Sequence, residues 1–195
     1  MKYYIEIKIH PTPEATVRDI TSAIFQGIHQ GIRTISYNLG KNPIGISFPE
    51  YIAQGKTFSL GRTIRLFSPD KESLEALQLK YLWLSKLQDY LVISDIMPVP
   101  ETITGYAVYV RKVSHRATPL NLAKRYAKRH GETLTEALKR FPKEKKFYPF
   151  PSISIFSTST KKKYWFYIEK VPLSTPCEGS FSNFGLSATA TVPEF

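Results

Sequence analysis

Apolar and polar positions alternate from the start of the chain: Tyr3, Ile5, Ile7 and Ile9 are interleaved with Glu6, Lys8 and His10, the period of a strand with one buried face. After His-Pro-Thr-Pro the period changes, and Val17, Ile20, Ile24 and Ile28 recur at helical spacing between Glu14 and Ile32, which predicts an amphipathic helix. Ile44–Phe48 and Thr63–Phe67 read as two short strands joined by a long loop. Ser68 or Asp70 then caps a helix through Leu74, Leu77, Leu84 and Leu87, with a break near Lys80, and a fourth strand runs from Leu91 to Val99.

The order strand, helix, strand, strand, helix, strand predicts an α+β fold in which residues 1–100 form a ferredoxin-like domain, the arrangement shared by RNA-recognition domains. A boundary is expected at Glu101–Gly105, with residues 101–195 forming a mixed second domain. There Tyr106–Val113 alternates as a strand, and Thr118-Pro119 opens a helix that Gly131 stops. Thr133-Leu134-Thr135-Glu136 is a capping box opening a short helix that ends before Pro142. Ser152–Phe156 and Tyr164–Val171 complete the prediction as two strands. Leu122 and Tyr126 are expected to turn the basic helix toward the protein.

Charge sharpens the picture. The 195 residues carry 27 Lys/Arg against 16 Asp/Glu, a net of +11. Residues 101–195 hold +9 of it, and Arg111–Lys146 alone has 12 basic and 3 acidic residues. Such a concentration repels itself unless a polyanion neutralises it, and nucleic acid is the polyanion it fits best. The basic stretch lacks the continuous apolar face of a membrane-surface helix, and no run is long enough to span a bilayer. The single cysteine, Cys177, excludes an internal disulfide framework. The expectation is a cytoplasmic protein.

The predicted helix Pro119–His130 brings Arg125, Lys128 and Arg129 to one face, with Asn121 and Lys124 on its flank, as a contact for a phosphate backbone; the alternative is a solvated face. His10, His29, His115 and His130 show no metal-ligand spacing, and no cofactor motif is present. RNA cleavage needs no metal when the substrate's own 2′-OH is the nucleophile, given a base, donors for the phosphate and an acid for the leaving oxygen. Histidine suits the base. His29, near the end of the first predicted helix and off its isoleucine stripe, reads on its own as an ordinary helix-end histidine.

Six segments carry a resemblance: Phe25-Gln26-Gly27-Ile28-His29-Gln30, Ile44–Pro49, Leu60-Gly61, the basic helix ending at Arg129-His130, Ser157-Thr158-Ser159-Thr160 and Phe184-Gly185-Leu186-Ser187. In that order, over nearly the whole chain, they resemble the CRISPR-associated endoribonucleases that cut repeat RNA into guide RNAs, in the branch serving type I-F systems. The resemblance implies that His29 is the general base toward the 2′-OH and that Ser157 and Ser159 hold the ribose or phosphate. It further implies that Arg125, Lys128 and Arg129 lie along an RNA stem, that Lys112 and Ser114 face base edges, and that Tyr164 stacks on the terminal base pair. The implied partners are a repeat RNA hairpin and the other subunits of an interference complex.

Two positions depart from the family's pattern. Phe184 stands where a tyrosine is common, so it can pack against an imidazole but donates no hydrogen bond. Lys112 and Ser114 stand where arginine and glutamine are frequent and reproduce no bidentate contact, so base reading has Arg111, His115 or Arg116 as alternatives. Three functions stay open at this level: a metal-independent nuclease, a hairpin-binding subunit that cuts poorly, and a ribosomal or regulatory RNA-recognition protein.

Overall fold

The computed structural model describes residues 1–112, 119–141, 148–157 and 160–195; Ser114, His115, Arg116 and Ser159 lie outside them. The elements are β1 (Tyr3–Ile9), α1 (Val17–Leu39), β2 (Gly45–Ser47), β3 (Ile52–Gln54), β4 (Thr57–Ser59), β5 (Thr63–Ser68), α2 (Lys71–Glu75), β6 (Leu91–Ile93), β7 (Met97–Pro98), β8 (Gly105–Lys112), α3 (Pro119–His130), α4 (Leu134–Arg140), β9 (Ser152–Ser157), β10 (Lys162–Leu173) and β11 (Val192–Glu194). The fold is mixed α+β with antiparallel sheets. The first sheet runs β2-β5-β1-β6, with β7 also on β1; the second runs β11-β8-β10-β9. A β3–β4 hairpin occupies the long loop.

Helix α1 begins where Thr16 caps the Asp19 N–H and continues to Gly40, whose φ of 70° ends it in the left-handed region. It therefore runs seven residues past the expected end at Ile32, and His29 sits well inside it. Asp70 Oδ1 accepts from the Ser73 N–H at 2.8 Å, but α2 is only five residues long. Gln78 at φ 45° breaks the predicted long helix into α2, a π-helical turn at Leu79–Trp83 and a 3-10 turn at Ser85–Tyr90. The expected strand Leu91–Val99 is likewise split, because Ser94 turns its hydroxyl to the Glu6 N–H at 2.9 Å and interrupts the ladder.

The chain divides into two compact units, residues 1–112 with 149–195, and residues 113–148. The division expected near residue 100 falls inside the first unit. The reason is a shared core: Ala107, Tyr109, Ile153, Ile155, Phe166, Ile168, Leu186 and Val192 of the second sheet join Ile7, Ile24, Phe25, Ile28, Phe48 and Leu66 in one cluster. In the second unit Thr133 and Glu136 form the predicted capping box, and Gly131 has the left-handed φ of 69° expected of a helix stop. Helix α3 buries Ala123 and packs Tyr126 on Phe141, while Leu122 is exposed. Leu122 thus does not turn inward as predicted: the small Ala123 is what allows close approach of α4.

Candidate active site

His29 lies on the seam of α1 between the buried stripe of Ile24, Ile28 and Ile32 and the exposed side, and is half-buried. Its Nδ1 is 2.6 Å from the carbonyl oxygen of Asn183, 154 residues away in sequence. A carbonyl only accepts, so in the neutral ring Nδ1 carries the proton and donates it, leaving the Nε2 lone pair without a partner among the described residues. The imidazole also lies flat on Phe184, with centroids 3.9 Å apart and planes 7° apart. Burial holds the His29 pKa below the ordinary histidine value, the Arg33 and Arg111 cations push it the same way, and the Asn183 bond opposes them. The neutral form, the one a base requires, is favoured near pH 7.

A tight turn presents both Asn183 and Phe184. The Gly185 N–H donates to Ser182 O and the Ser182 N–H to Leu186 O, both at 2.8 Å. The turn is docked from outside by the Ile46 N–H on Gly185 O at 2.9 Å and by Asn42 Nδ2 on Ser182 O at 2.7 Å. Gly185 has φ 70°, and a Cβ there would lie 3.3 Å from Ile46 Cβ and 3.4 Å from Ile32 Cδ1. Any other residue would strain the backbone and press on α1 beneath His29. The Ser187 hydroxyl closes the motif by donating to Ser180 O and accepting from the Thr189 and Ala190 N–H groups.

Behind Phe184 stand Phe166, at 4.8 Å, and Phe25, at 6.0 Å. The Arg111 guanidinium covers Phe166 at 4.4 Å and lies 5.7 Å from the rings of Tyr164 and Phe184. An exposed cation is thereby held over an aromatic floor beside the imidazole.

Ser157 ends β9, whose free edge is paired by helix side chains instead of a strand. The Ser154 N–H donates to Ser22 Oγ at 3.0 Å and the Phe156 N–H to Gln26 Oε1 at 3.4 Å. A helix rises about 1.5 Å per residue and a strand about 3.3 Å, so four helical residues keep pace with two strand residues. Continuing that register brings Ser157 level with His29. Its Oγ accepts the Thr160 N–H at 3.2 Å across the hairpin.

The structure thus brings His29, Phe184, Arg111 and Tyr164 together within one unit, and the register of β9 on α1 sets Ser157 alongside them. Lys112 points to the opposite face of β8, where its Nζ pairs with Glu169 at 2.6 Å. Asn121, Lys124, Arg125, Lys128 and Arg129 are exposed along α3 in the other unit, where Tyr126 stacks on His130 at 4.2 Å. Among the described residues no three His, Cys, Asp or Glu side chains gather into a metal-binding group, and no helix is long and apolar enough to cross a membrane. Sequence reasoning missed the Asn183 carbonyl, which has no side-chain signature, and the Ser22 and Gln26 clamp, whose helical spacing of four was visible but had no assigned partner.

The family described as CRISPR-associated protein (Cas_Csy4) matches residues 4–195. A protein named CRISPR-associated endonuclease Cas6/Csy4 from Escherichia coli (strain UTI89 / UPEC) is 32% identical over 199 residues, and one of the same name from Pseudomonas aeruginosa (strain UCBPP-PA14) is 31% identical over 197. Each alignment covers 100% of both chains. A solved structure described as a Cas6-related gene product from Pyrococcus furiosus covers 98% of this chain and 99% of its own at 14% identity, with a TM-score of 0.37. On the family match and the two full-length relatives, the chain belongs to the Csy4 family of CRISPR-associated proteins.

Proposed function

We propose that the chain is the endoribonuclease that matures CRISPR repeat RNA in a type I-F system, binding the repeat hairpin and cutting at the 3′ side of its stem without a metal ion. Strands β1, β2, β5 and β6 then serve as a ferredoxin-like platform, a reading supported by their β2-β5-β1-β6 order. The observation that carries the proposal is the double restraint on His29: Nδ1 bonded to Asn183 O, ring flat on Phe184. That restraint leaves Nε2 of a neutral imidazole with no hydrogen-bond partner among the described residues, available to take a proton from a substrate.

In this reading His29 Nε2 takes the proton of the 2′-OH just upstream of the cut, and the 2′ oxygen attacks phosphorus. The bond to the 5′ oxygen breaks and that oxygen takes up a proton from water, giving a 5′-hydroxyl and a 2′,3′-cyclic phosphate open to hydrolysis to a 3′ phosphate, while His29 returns its proton to solvent. Ser157, with Ser159 beyond it in sequence, holds the phosphate or ribose, and Phe184 fixes the base without chemistry of its own. Tyr164 stacks on the last base pair. Lys112 is engaged by Glu169, which favours Arg111 over Lys112 as the base reader; Ser114, His115 and Arg116 lie outside the described residues. Helix α3 runs along the stem through Arg125, Lys128 and Arg129, with Asn121 and Lys124 flanking. The protein works in the cytoplasm and keeps its product as a subunit of the interference complex.

Incubation with the cognate repeat hairpin in EDTA tests this reading: cleavage to a 5′-hydroxyl product is expected, and a 2′-deoxy sugar upstream of the cut should abolish it while leaving binding intact. Cleavage lost in EDTA, or undiminished on the deoxy substrate, overturns the mechanism. The rival reading, a hairpin-binding subunit, takes its support from the missing hydroxyl at Phe184 and expects tight binding with no cut.

A further inference from the structure

We propose that the outward face of the β9–β10 hairpin binds the single-stranded RNA that leaves the cut on its 3′ side, a proposal that rests on the nuclease reading above. Along β10, Phe166 and Ile168 turn into the core and Lys163 and Trp165 turn away from it; along β9, Ile153 and Ile155 turn in and Phe156 turns out. The register sets Phe156 opposite Lys163 and Ser154 opposite Trp165. Phe156 and Trp165 are therefore diagonal neighbours on one face, about 7–8 Å apart. They expose 48% and 52% of their surface.

An exposed aromatic pair alone marks contact with something apolar. Here Lys161, Lys162 and Lys163 are all exposed at the same end of the hairpin. Stacking rings beside cations are what a single strand needs, bases on the rings and phosphates on the lysines. A protein partner's apolar surface would instead have to desolvate the lysines, which interface cores avoid.

Geometry selects the 3′ strand. Ser157 follows Phe156 directly, and α1, with His29, lies along the free edge of β9. Attacking and leaving oxygens are roughly in line on phosphorus. With the 2′ oxygen on the His29 side, the leaving 5′ oxygen departs away from α1 toward the end of the hairpin that carries Lys161, Lys162 and Lys163. Ser157 and Tyr164 share the inward face with Ile155 and Phe166, so the strand turns over that end onto the outward face that carries Phe156 and Trp165.

The test titrates the full chain with a 2′-deoxy-blocked repeat hairpin carrying no flank, or a 3′ or 5′ single strand of about six nucleotides. The 3′ flank is expected to tighten binding at least about tenfold. Trp165→Ala with Phe156→Ala should remove that gain, Trp165→Phe should keep it, and affinity for the flankless hairpin should not change. The proposal is overturned if the 3′ flank adds nothing, if the double variant keeps the gain, or if the 5′ flank provides the gain that the double variant removes. It is equally overturned if the double variant loses only its association with other complex subunits. Absence of binding to the flankless hairpin would instead defeat the repeat-RNA reading.

Discussion

Phe184 is the position where packing and chemistry separate most cleanly. Its ring lies 3.9 Å from the imidazole of His29, on a floor made by Phe166 and Phe25, and is half-buried. Removing a fully buried phenylalanine costs about 3–5 kcal/mol; for this half-buried ring about 2 kcal/mol of stability is expected on Phe184→Ala. The effect on rate has a different origin. The variant leaves the imidazole held by the Asn183 carbonyl alone, free to swing about that bond. The lost ring pair is worth about 0.5–1.5 kcal/mol, and misplacement of a catalytic group by about 1 Å costs about 100-fold, so single-turnover cleavage should slow by about 10- to 100-fold. Phe184→Tyr retains the ring and should change the rate by less than about tenfold, or about 1.4 kcal/mol in the barrier. The assay is single-turnover cleavage of the repeat hairpin at saturating protein, with thermal unfolding in parallel. Two results would refute the reasoning: an unchanged rate in Phe184→Ala, or a gain of about 100-fold or more in Phe184→Tyr. The second would mean that a hydroxyl is missing from the machinery.

His29→Ala should reduce cleavage by about 100-fold or more with hairpin affinity preserved within a few-fold; equal losses of both, measured on the same RNA, would make His29 structural. The cleavage rate should rise with pH through a His29 pKa below the ordinary 6.5 and then level off, because the neutral imidazole is the active form. Arg33→Gln removes one cation that depresses this pKa, so the acid limb of the pH–rate profile should move to higher pH with the plateau unchanged; a shift to lower pH would contradict the assignment. In the free protein the unfolded chain takes up the His29 proton first as pH falls, so its contribution to stability is complete above about pH 6.5 and declines through the folded pKa, as urea titrations across pH would report. Arg125→Ala on α3 should weaken binding to all stem sequences alike and reduce the log–log salt slope by about one; an unchanged slope would make the helix a solvated face.

Periodicity revealed β1, β5, the start of α1, the α3–α4 pair and the β9–β10 hairpin, because each buries one face against the core or a neighbour. It failed where a single residue overrides the pattern. Gln78, in the left-handed region, ends a leucine repeat that otherwise reads as helix, and Ser94 breaks a strand by bonding to the Glu6 backbone. The boundary near residue 100 misled for another reason: a proline pair marks a turn, but only the packing of Tyr109, Ile153 and Phe166 of the second sheet into one core with Phe25, Ile28 and Phe48 shows that the chain has not left the first core. At the site, the residue types were legible and the geometry was not. Nothing local to His29 announces a partner 154 residues away.

That distance also explains why the site is assembled as it is. A general base must be fixed more tightly than one hydrogen bond allows, yet it must keep one nitrogen open, so its restraints have to come from the side opposite the substrate. Helix α1 supplies a common ruler for them. Gly27 and Gly31 let the segment around Trp83 approach on one side, where a Cβ at Gly27 would lie 2.7 Å from Leu84 Cδ2. Ser22 and Gln26 hold β9 on another, and Ile32 supports the turn of Gly185 beneath the imidazole. The base, the serine strand and the aromatic wall are therefore registered to one rigid element although they come from three distant parts of the chain, and none is in place until the two sheets share their core. An isolated segment bearing any one of them would carry the residue type without the chemistry.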